Sequence, residues 1–482
     1  MRSMSNRSWH LLTFCFFAAL VFFAKLPILD VPHYWDEMAW VSQAHWLSQV
    51  NLLRALPGLR APDAFWGHPP GLHLTLASLA KIFGYSIILS HLIPVCFAFI
   101  GVSFTFLLGR LLYDAKTGFF AALFLFLSSM YFAQSGMFLA DVPVASLGVM
   151  SIYFALRRHY LAYLLSATYM VFIKETSIAL LVALLLYHFF TTRSKTKEKL
   201  TVLVKYSVPL FLIGLFFIWQ KVATGYFFFI YAPTFEIKLL DLTPRLISNK
   251  FATITGWLFI YQHSYIFSSL IALNLIVNRT SRGRPELWLF FLICLFSGYS
   301  FVVLFFLPRY LLPVLPYLYL LGSWSLMELV KPAASKIPAA IVLLLVLVWF
   351  LATQPFTGNN AELNLRYLDV VRVHREMCEF IASEFFHSRT LTAWPHDRQL
   401  QQPHLGYVKK PLRVVSLPGK DLSATSLADQ PILREVDLIL VSTTPVTFGM
   451  EELRTYALKN DWRLIRRLAD EPIASELYAR RN

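Results

Sequence analysis

The chain has 482 residues, of which 57% are hydrophobic and only 15% charged, and it carries 43 phenylalanines. So few charged groups cannot cover the surface of a soluble protein of this length, which excludes that class and leaves an integral membrane protein. The net charge of +15 comes from lysines and arginines spread between apolar runs, a pattern of cytoplasmic loops beside anionic lipid rather than of nucleic-acid binding. Cys15, Cys96 and Cys294 lie inside apolar runs and Cys378 stands alone in the polar tail, so neither a disulfide framework nor a metal-spaced pair is present.

The first apolar run, Leu11–Leu29, follows Arg2 and Arg7 and ends at Lys25-Leu26-Pro27 without a small-x-small cleavage site. It reads as an uncleaved signal-anchor helix rather than a signal peptide. Further apolar runs lie near 86–112, 117–134, 142–157, 160–173, 175–191, 203–221, 256–277, 286–306, 310–329 and 337–355. With roughly 20 apolar residues needed per crossing, the total is about eleven spans, give or take about two, the shorter runs borrowing flanking residues. Placing the N-terminus inside puts Arg110 and Lys116, Arg157 and Arg158, Arg193/Lys195/Lys197/Lys199, Arg279/Arg282/Arg284 and Lys331/Lys336 at inside turns. That is the positive-inside arrangement, and an odd number of spans then sends the C-terminus outside.

Two polar segments fall outside under this orientation. Residues 30–85 are long enough to hold structure of their own, and Met38, Val41, Ala44, Leu47 and Val50 recur at helical spacing within Asp36–Leu53. This stretch and Gly71–Phe83 suit helices lying along the membrane surface. The second outside loop, 222–255, carries Lys238, Arg245 and Lys250. No internal repeat is visible. From about Gly358 the composition changes: the tail holds 17 lysines and arginines against 16 acidic residues, so nearly all the excess charge sits in the membrane part. A helix over Ala361–Phe385, strands at Thr390–Trp394, Leu412–Leu417 and Val436–Val441, a helix over Glu451–Leu458 and strands at Trp462–Leu468 and Glu476–Ala479 predict a small α/β domain. Trp394-Pro395-His396-Asp397-Arg398 reads as a loop within it. The fold class expected is therefore an α-helical polytopic membrane protein, residues 1–357, followed by an extracytoplasmic α/β domain, residues 358–482, without a catalytic group.

Charged residues at the outer face of the membrane are costly there and are the functional suspects. Asp36-Glu37 follow His33-Tyr34-Trp35, and a carboxylate shielded by aromatic neighbours is a candidate general base, the alternative being a helix N-cap. His68, in Gly67-His68-Pro69-Pro70-Gly71, is held by two prolines at a loop end and is a candidate hydrogen-bond donor to phosphate or part of a plain turn. Asp141, in Ala140-Asp141-Val142-Pro143, either caps a span or lines a cavity. Lys174-Glu175 sit between two close spans, where a local ion pair is the plain reading. Arg309, in Pro308-Arg309-Tyr310-Leu311-Leu312-Pro313, offers a planar fork for phosphate or snorkels to lipid headgroups. All five places fall on one side of the membrane, which makes a site for a phosphate-linked substrate.

Trp35-Asp36-Glu37, His68-Pro69-Pro70, Ala140-Asp141-Val142-Pro143 and Arg309-Tyr310-Leu311-Leu312-Pro313, in this order, resemble the dolichyl-phosphate-mannose-protein mannosyltransferase superfamily, whose bacterial members include the aminoarabinose transferases that modify lipid A. The resemblance covers roughly residues 10–355, and the tail looks like the soluble domain of many bacterial members. It implies a multi-spanning C-type glycosyltransferase fold and sugar transfer on the outer face of the membrane with inversion. It maps the family's acidic positions onto Asp36, Glu37 and Asp141. Two departures stand out. Many relatives carry an Arg shortly before a Pro in the second span, where this chain reads His91-Leu92-Ile93-Pro94; and many follow the Lys between the fifth and sixth spans with Gly or Pro, where this chain reads Lys174-Glu175-Thr176.

The expected reaction is a single displacement. An acceptor hydroxyl or amine, oriented by Asp36, attacks the anomeric carbon of a polyprenyl-phosphate sugar, and Arg309, Lys174 and His68 stabilise the departing phosphate. The expected partners are that donor, a lipid, glycan or protein acceptor, and the bilayer, with no nucleic acid; no cofactor is fixed by any motif, and a divalent metal stays open. The rival classes are a transporter or flippase, which places polar groups near the membrane midplane, and a non-catalytic scaffold.

Overall fold

In an apolar surrounding every backbone N–H and C=O has to be satisfied within its own segment, and the apolar runs accordingly fold as helices. The computed structural model describes residues 6–59, 68–191, 196–227, 243–261, 264–278, 284–303, 306–331, 336–353, 361–417, 435–442, 450–470 and 473–480. Arg2, Gly67, Arg193, Lys195, Lys238, Arg279, Arg282, Gly358 and the chain end lie outside them. The helices are α1 (Asn6–Lys25), α2 (Asp36–Gln49), α3 (Gly71–Phe83), α4 (Ile87–Leu112), α5 (Ala115–Leu127), α6 (Ser129–Gln134), α7 (Asp141–Leu156), α8 (Tyr160–Ile173), α9 (Ile178–Thr191), α10 (Thr196–Tyr206) and α11 (Val208–Thr224). There follow α12 (Pro244–Phe259), α13 (Ser264–Val277), α14 (Pro285–Val303), α15 (Leu315–Val330) and α16 (Lys336–Thr353), and in the tail α17 (Tyr367–Glu384), α18 (His396–Gln401) and α19 (Met450–Lys459).

Among the described residues, three helical stretches are long and apolar enough to cross a membrane, Leu11–Ile28, Ile87–Leu112 and Pro308–Val330, and the number rises to five if each of two bent pairs is one span. The remaining apolar helices are shorter, so length and composition alone do not establish eleven crossings. Three apolar runs are interrupted where the sequence pattern is continuous. Run 117–134 breaks at Ser128 between α5 and α6. Run 203–221 bends by 45° between α10 and α11, because Pro209 at the start of α11 has no N–H to continue the ladder. Run 256–277 is two helices, and α12 begins at Pro244, capped by the Thr243 hydroxyl that accepts the Leu246 N–H at 3.2 Å; the second outside loop is helical from there on.

The framework of the site is the set α4, α5, α7 and α8, in which α4 and α7 run the same way, Gly101 facing Ser146 and Phe104 packing on Tyr153. α4 crosses α5 where Gly109 faces Gly118, and a Cβ on Gly109 would stand 2.5 Å from the Gly118 Cα. Small residues at such crossings let two backbones approach and gain dispersion contact, the main attraction between helices in lipid. Gly71, the first residue of α3, is as tightly placed: a Cβ there would stand 2.5 Å from the Phe172 carbonyl oxygen near the end of α8, and this contact sets the loop carrying His68 beside the turn carrying Lys174 and Glu175. The buried ammonium of Lys25 ends α1 by donating to the Phe132 carbonyl.

The tail forms a five-stranded mixed sheet in the order β2-β1-β3-β5-β4, with β1 Arg389–Thr392, β2 Arg413–Ser416, β3 Leu438–Ser442, β4 Trp462–Asp470 and β5 Ile473–Arg480. β1 pairs in parallel with both β2 and β3, while β5 runs antiparallel to β3 and β4. β3 is buried along its whole length, as its unbroken apolar run LILV requires. The strands fall where the apolar runs place them, each within about two residues except β5, which starts three residues early at Ile473. The segment after Trp394 is a correction: His396–Gln401 is helical rather than a loop, one and a half turns being too short to show a period in the sequence. One apolar core runs from the helices into the tail, where Leu363, Tyr367, Leu400, Leu405 and Tyr407 join it.

The core of the tail also holds a pH-dependent element. His374 and His396 are fully buried with ring centroids 4.3 Å apart; the Gln399 amide donates to one nitrogen of His374, and the other meets the Ser442 hydroxyl at 3.1 Å. Burial holds His374 well below the ordinary imidazole range and His396 at about 4. Both folded values are depressed, so the neutral rings contribute stability above about pH 6.5 that is lost as pH falls toward 4, on the order of 3 kcal/mol for His396. The melting temperature of the purified protein is expected to fall steadily from pH 6.5 to 4, and His396→Gln to flatten that slope; a slope unchanged by the substitution counts against the assignment.

Candidate active site

Asp36 opens α2. The residue before it, Trp35, has φ +48° and ψ −123°, a conformation that non-glycine residues seldom adopt and that turns the chain sharply into the helix. Neither Asp36 nor Asp141 caps its helix: the capping positions belong to Trp35 and Ala140. The back-capping group is Glu37, whose Oε2 accepts the Tyr34 N–H at 3.0 Å.

Arg309 gathers the acidic groups. It lies in a 3₁₀ turn, Pro308–Val314, and is only 4% exposed, so it does not snorkel to headgroups. Its guanidinium donates to Asp36, faces Glu362 Oε1 at 2.5 Å through Nη1, and has Nε 3.3 Å from Asp141 Oδ2. Lys174 donates to the other oxygen of Asp141 at 2.7 Å, and its ammonium sits 3.8 Å from the centre of the Tyr310 ring. Asp36, Asp141, Lys174 and Arg309 thus meet in one cluster. A narrow cavity opens beside it, with Asp141, Lys174, Tyr310, Val144, Leu180 and Pro313 among its lining residues.

Lys174 and Glu175 do not pair with each other. Lys174 is extended and Glu175 starts a 3₁₀ turn, so the neighbouring side chains diverge: Lys174 goes to Asp141, while Glu175 accepts from His68 Nδ1 at 2.9 Å. His68 stacks on Trp40, with ring centres 5.5 Å apart. Glu37 also leaves the cluster. It is 1% exposed and is held by the Phe138 N–H at 2.7 Å and by His33 and His91 at 3.1 and 3.4 Å. Burial pushes Glu37 up, and the two imidazoles with the amide more than reverse this, keeping it below the usual carboxylate range.

Glu362 is a member that sequence reasoning missed. It sits in the polar stretch between the last long apolar helix and α17, with nothing in its spacing to single it out, yet its backbone carbonyl accepts from Gln134 at 2.6 Å and its carboxylate reaches Arg309. Burial raises Glu362 above the usual carboxylate range; Arg309 opposes the rise, and Asp36 and Asp141 add to it. Three carboxylates and two cations leave the cluster with one excess negative charge when all are ionised.

Residues 67–219 match the family model described as dolichyl-phosphate-mannose-protein mannosyltransferase, a stretch that holds His68, Asp141 and Lys174. No curated protein sequence matches. Among solved structures, ArnT from Cupriavidus metallidurans is similar in fold: its complex with undecaprenyl phosphate superposes with a TM-score of 0.58 at 13% identity over 98% of both chains, and its apo state with 0.59 at 14% over the same shares. The archaeal oligosaccharyltransferase AglB from Archaeoglobus fulgidus, in complex with an inhibitory peptide and a dolichol-phosphate, gives 0.54 at 10% identity over 90% of this chain and 69% of that one. The fold is that of the multi-spanning glycosyltransferases these structures represent. Within that class, the resemblance of the chain to the dolichyl-phosphate-mannose-protein mannosyltransferase superfamily is supported by the family model over residues 67–219, and the solved structures support the fold.

Proposed function

We propose that the protein is a membrane glycosyltransferase that moves a sugar from a polyprenyl-phosphate donor to a lipid, glycan or protein acceptor on the outer face of the membrane, with inversion. The observation that carries this reading is the meeting of Asp36, Asp141, Lys174 and Arg309, drawn from four distant stretches of sequence, in one ion cluster that is buried except at Asp36, whose side chain is 37% exposed. With the N-terminus in the cytoplasm every member lies toward the outer face, whereas a transporter gathers its polar groups near the membrane midplane. The lipid phosphates bound in the ArnT and AglB structures support a donor of the same kind.

In this mechanism the donor phosphate takes the place of the Asp36 carboxylate on Arg309, with Lys174 as its second cation. Asp141 and Glu362 keep the guanidinium oriented during the exchange. Asp36, released, accepts the proton of the acceptor hydroxyl as its oxygen attacks the anomeric carbon; the bond from that carbon to the phosphate oxygen breaks, and the lipid phosphate leaves with the electron pair. In a site shielded from water the two cations stabilise that departing charge more strongly than they would in solution. Glu37, turned away, holds the loop. A cavity of about 480 Å³ lies along α2 from Met38 to Gln49 and is closed on the tail side by Trp394, Arg398 and His404. Its aromatic and polar walls suit the sugar-bearing end of an acceptor.

We place the N-terminus in the cytoplasm, about eleven spans within residues 1–357, and an extracytoplasmic α/β domain at 358–482. Reporter fusions after Asn482 are expected to report the outside, and fusions between Thr191 and Lys199 the inside; a cytoplasmic C-terminus overturns the orientation. For the activity, the purified protein is expected to bind undecaprenyl phosphate. Failure to bind it, together with solute uptake into reconstituted vesicles, would favour the transporter.

A further inference from the structure

Behind the Asp36 loop, three buried groups not used in the transfer reaction converge: His33, Glu37 and His91, which are 0%, 1% and 3% exposed. Their donor atoms, Nδ1 of each imidazole and an oxygen of Glu37, all lie within 4.8 Å of one another. His33 Nδ1 makes no hydrogen bond, although it stands 3.1 Å from Glu37 Oε1.

The proton count is what needs explaining. The Tyr85 hydroxyl donates to the His404 carbonyl at 2.8 Å and the Ser90 hydroxyl to the Ile87 carbonyl at 2.7 Å, so toward His33 Nε2, 3.1 Å from each, they offer only lone pairs. That nitrogen therefore carries a proton. So does His91 Nε2, which faces the Val31 carbonyl at 2.9 Å. A ring protonated at Nε2 is neutral only if its Nδ1 is bare. Yet His33 Nδ1 faces the Glu37 carboxylate, and His91 Nδ1 faces both that carboxylate at 3.4 Å and the Gly136 carbonyl at 2.5 Å. Bare nitrogens would set lone pair against lone pair. Protonating both would place two imidazolium rings, stacked with centres 4.7 Å apart, beside one carboxylate in a buried pocket. A divalent cation between the donor atoms removes the conflict, because both nitrogens and the carboxylate then point at positive charge and both rings stay neutral.

We propose that His33, Glu37 and His91 bind a zinc-class divalent cation that pins the Asp36 loop to α4 and to the segment before α7. Ligands about 2.1 Å from a tetrahedral centre stand about 3.4 Å from one another, and the two imidazole–carboxylate separations are 3.1 and 3.4 Å. The mixed nitrogen and oxygen set favours zinc over magnesium or calcium. The outer shell is that of a metal site: each imidazole has an acceptor for its Nε2–H, and the Tyr34 and Phe138 amides orient the carboxylate. The cation touches no reacting atom; it positions Asp36, the residue just before Glu37, and the inference stands apart from the transferase reading.

The test uses the full-length protein purified in detergent without chelator. Elemental analysis is expected to give about one equivalent of zinc, lost in His33→Gln and His91→Gln. Chelation is expected to lower the melting temperature of the wild type by about 5 °C, reversed by zinc or cobalt(II) and not by magnesium. The cobalt(II) form is expected to show the visible absorption of a tetrahedral site, absent from His91→Gln. If the histidine variants do not fold, the chelation and cobalt measurements on the wild type decide. A folded wild type that carries no transition metal, and whose melting temperature ignores both chelator and zinc, overturns the site.

Discussion

Asp36→Asn is expected to lower sugar transfer by about 10²–10⁴-fold, the scale of losing a positioned acid–base group, while leaving the fold intact. The substitution keeps the shape and one acceptor oxygen but removes the charge that receives the acceptor proton. Donor affinity is expected to hold or to tighten, because Asp36 is the group that competes with the phosphate for Arg309. Glu37→Gln should behave in the opposite way. It takes the carboxylate from two imidazoles and two amides in the interior, so its cost falls first on thermal stability, and the folded fraction should still transfer sugar, at a rate lowered only through looser positioning of Asp36. Purified variants, checked by gel filtration, are assayed for donor affinity and transfer separately. If Asp36→Asn transfers at near wild-type rate while a well-folded Glu37→Gln is dead, the roles within the pair are reversed; if neither matters, the acidic loop is not catalytic.

Arg309→Ala is expected to reduce affinity for undecaprenyl phosphate by about 10²–10³-fold, with turnover falling as well, since truncating one partner of a desolvated charge pair costs several kcal/mol. It also leaves Asp36, Asp141 and Glu362 facing one another with Lys174 as the remaining cation of the cluster, so part of the loss is structural. Pairing the change with Glu362→Gln removes one of those charges. The double variant is expected to regain thermal stability without regaining donor affinity. Wild-type affinity in the double variant would reduce Arg309 to a structural counter-ion.

Many elements of the fold were legible along the chain because their signals are local. A run such as LILV in β3 or a Pro-Gly boundary before α3 announces an element within a few residues. The breaks at Ser128 and ahead of Pro209 escaped because a single residue barely alters an apolar average, though it decides where a helix ends. The site shows the same division. Asp36, Asp141, Lys174 and Arg309 stand out as charges in apolar surroundings, and the fold brings them together. Their partners do not stand out. Lys174 and Glu175 look like a pair only because they are adjacent, whereas an extended backbone sends them to Asp141 and His68, more than thirty and one hundred residues away in the sequence. His91 is visible as a departure from an Arg-containing pattern, but that it faces Glu37 together with His33 is a property of the folded chain. Glu362 lies in a polar stretch where one more acidic residue carries no signal.

The reach of Glu362 into the Arg309 cluster bears on how members of this fold class can be recombined. Composition suggests a seam near Gly358, where apolar sequence gives way to a soluble domain, and a hybrid built there would draw the counter-ion of its own arginine from a foreign parent. Glu362, the Gln134 contact to its carbonyl and the burial of Leu363 tie that short segment to the helical body. The transplantable unit therefore starts beyond Leu363, and a graft made there carries the sheet and its cavity wall to a new host while the host keeps its own charge balance.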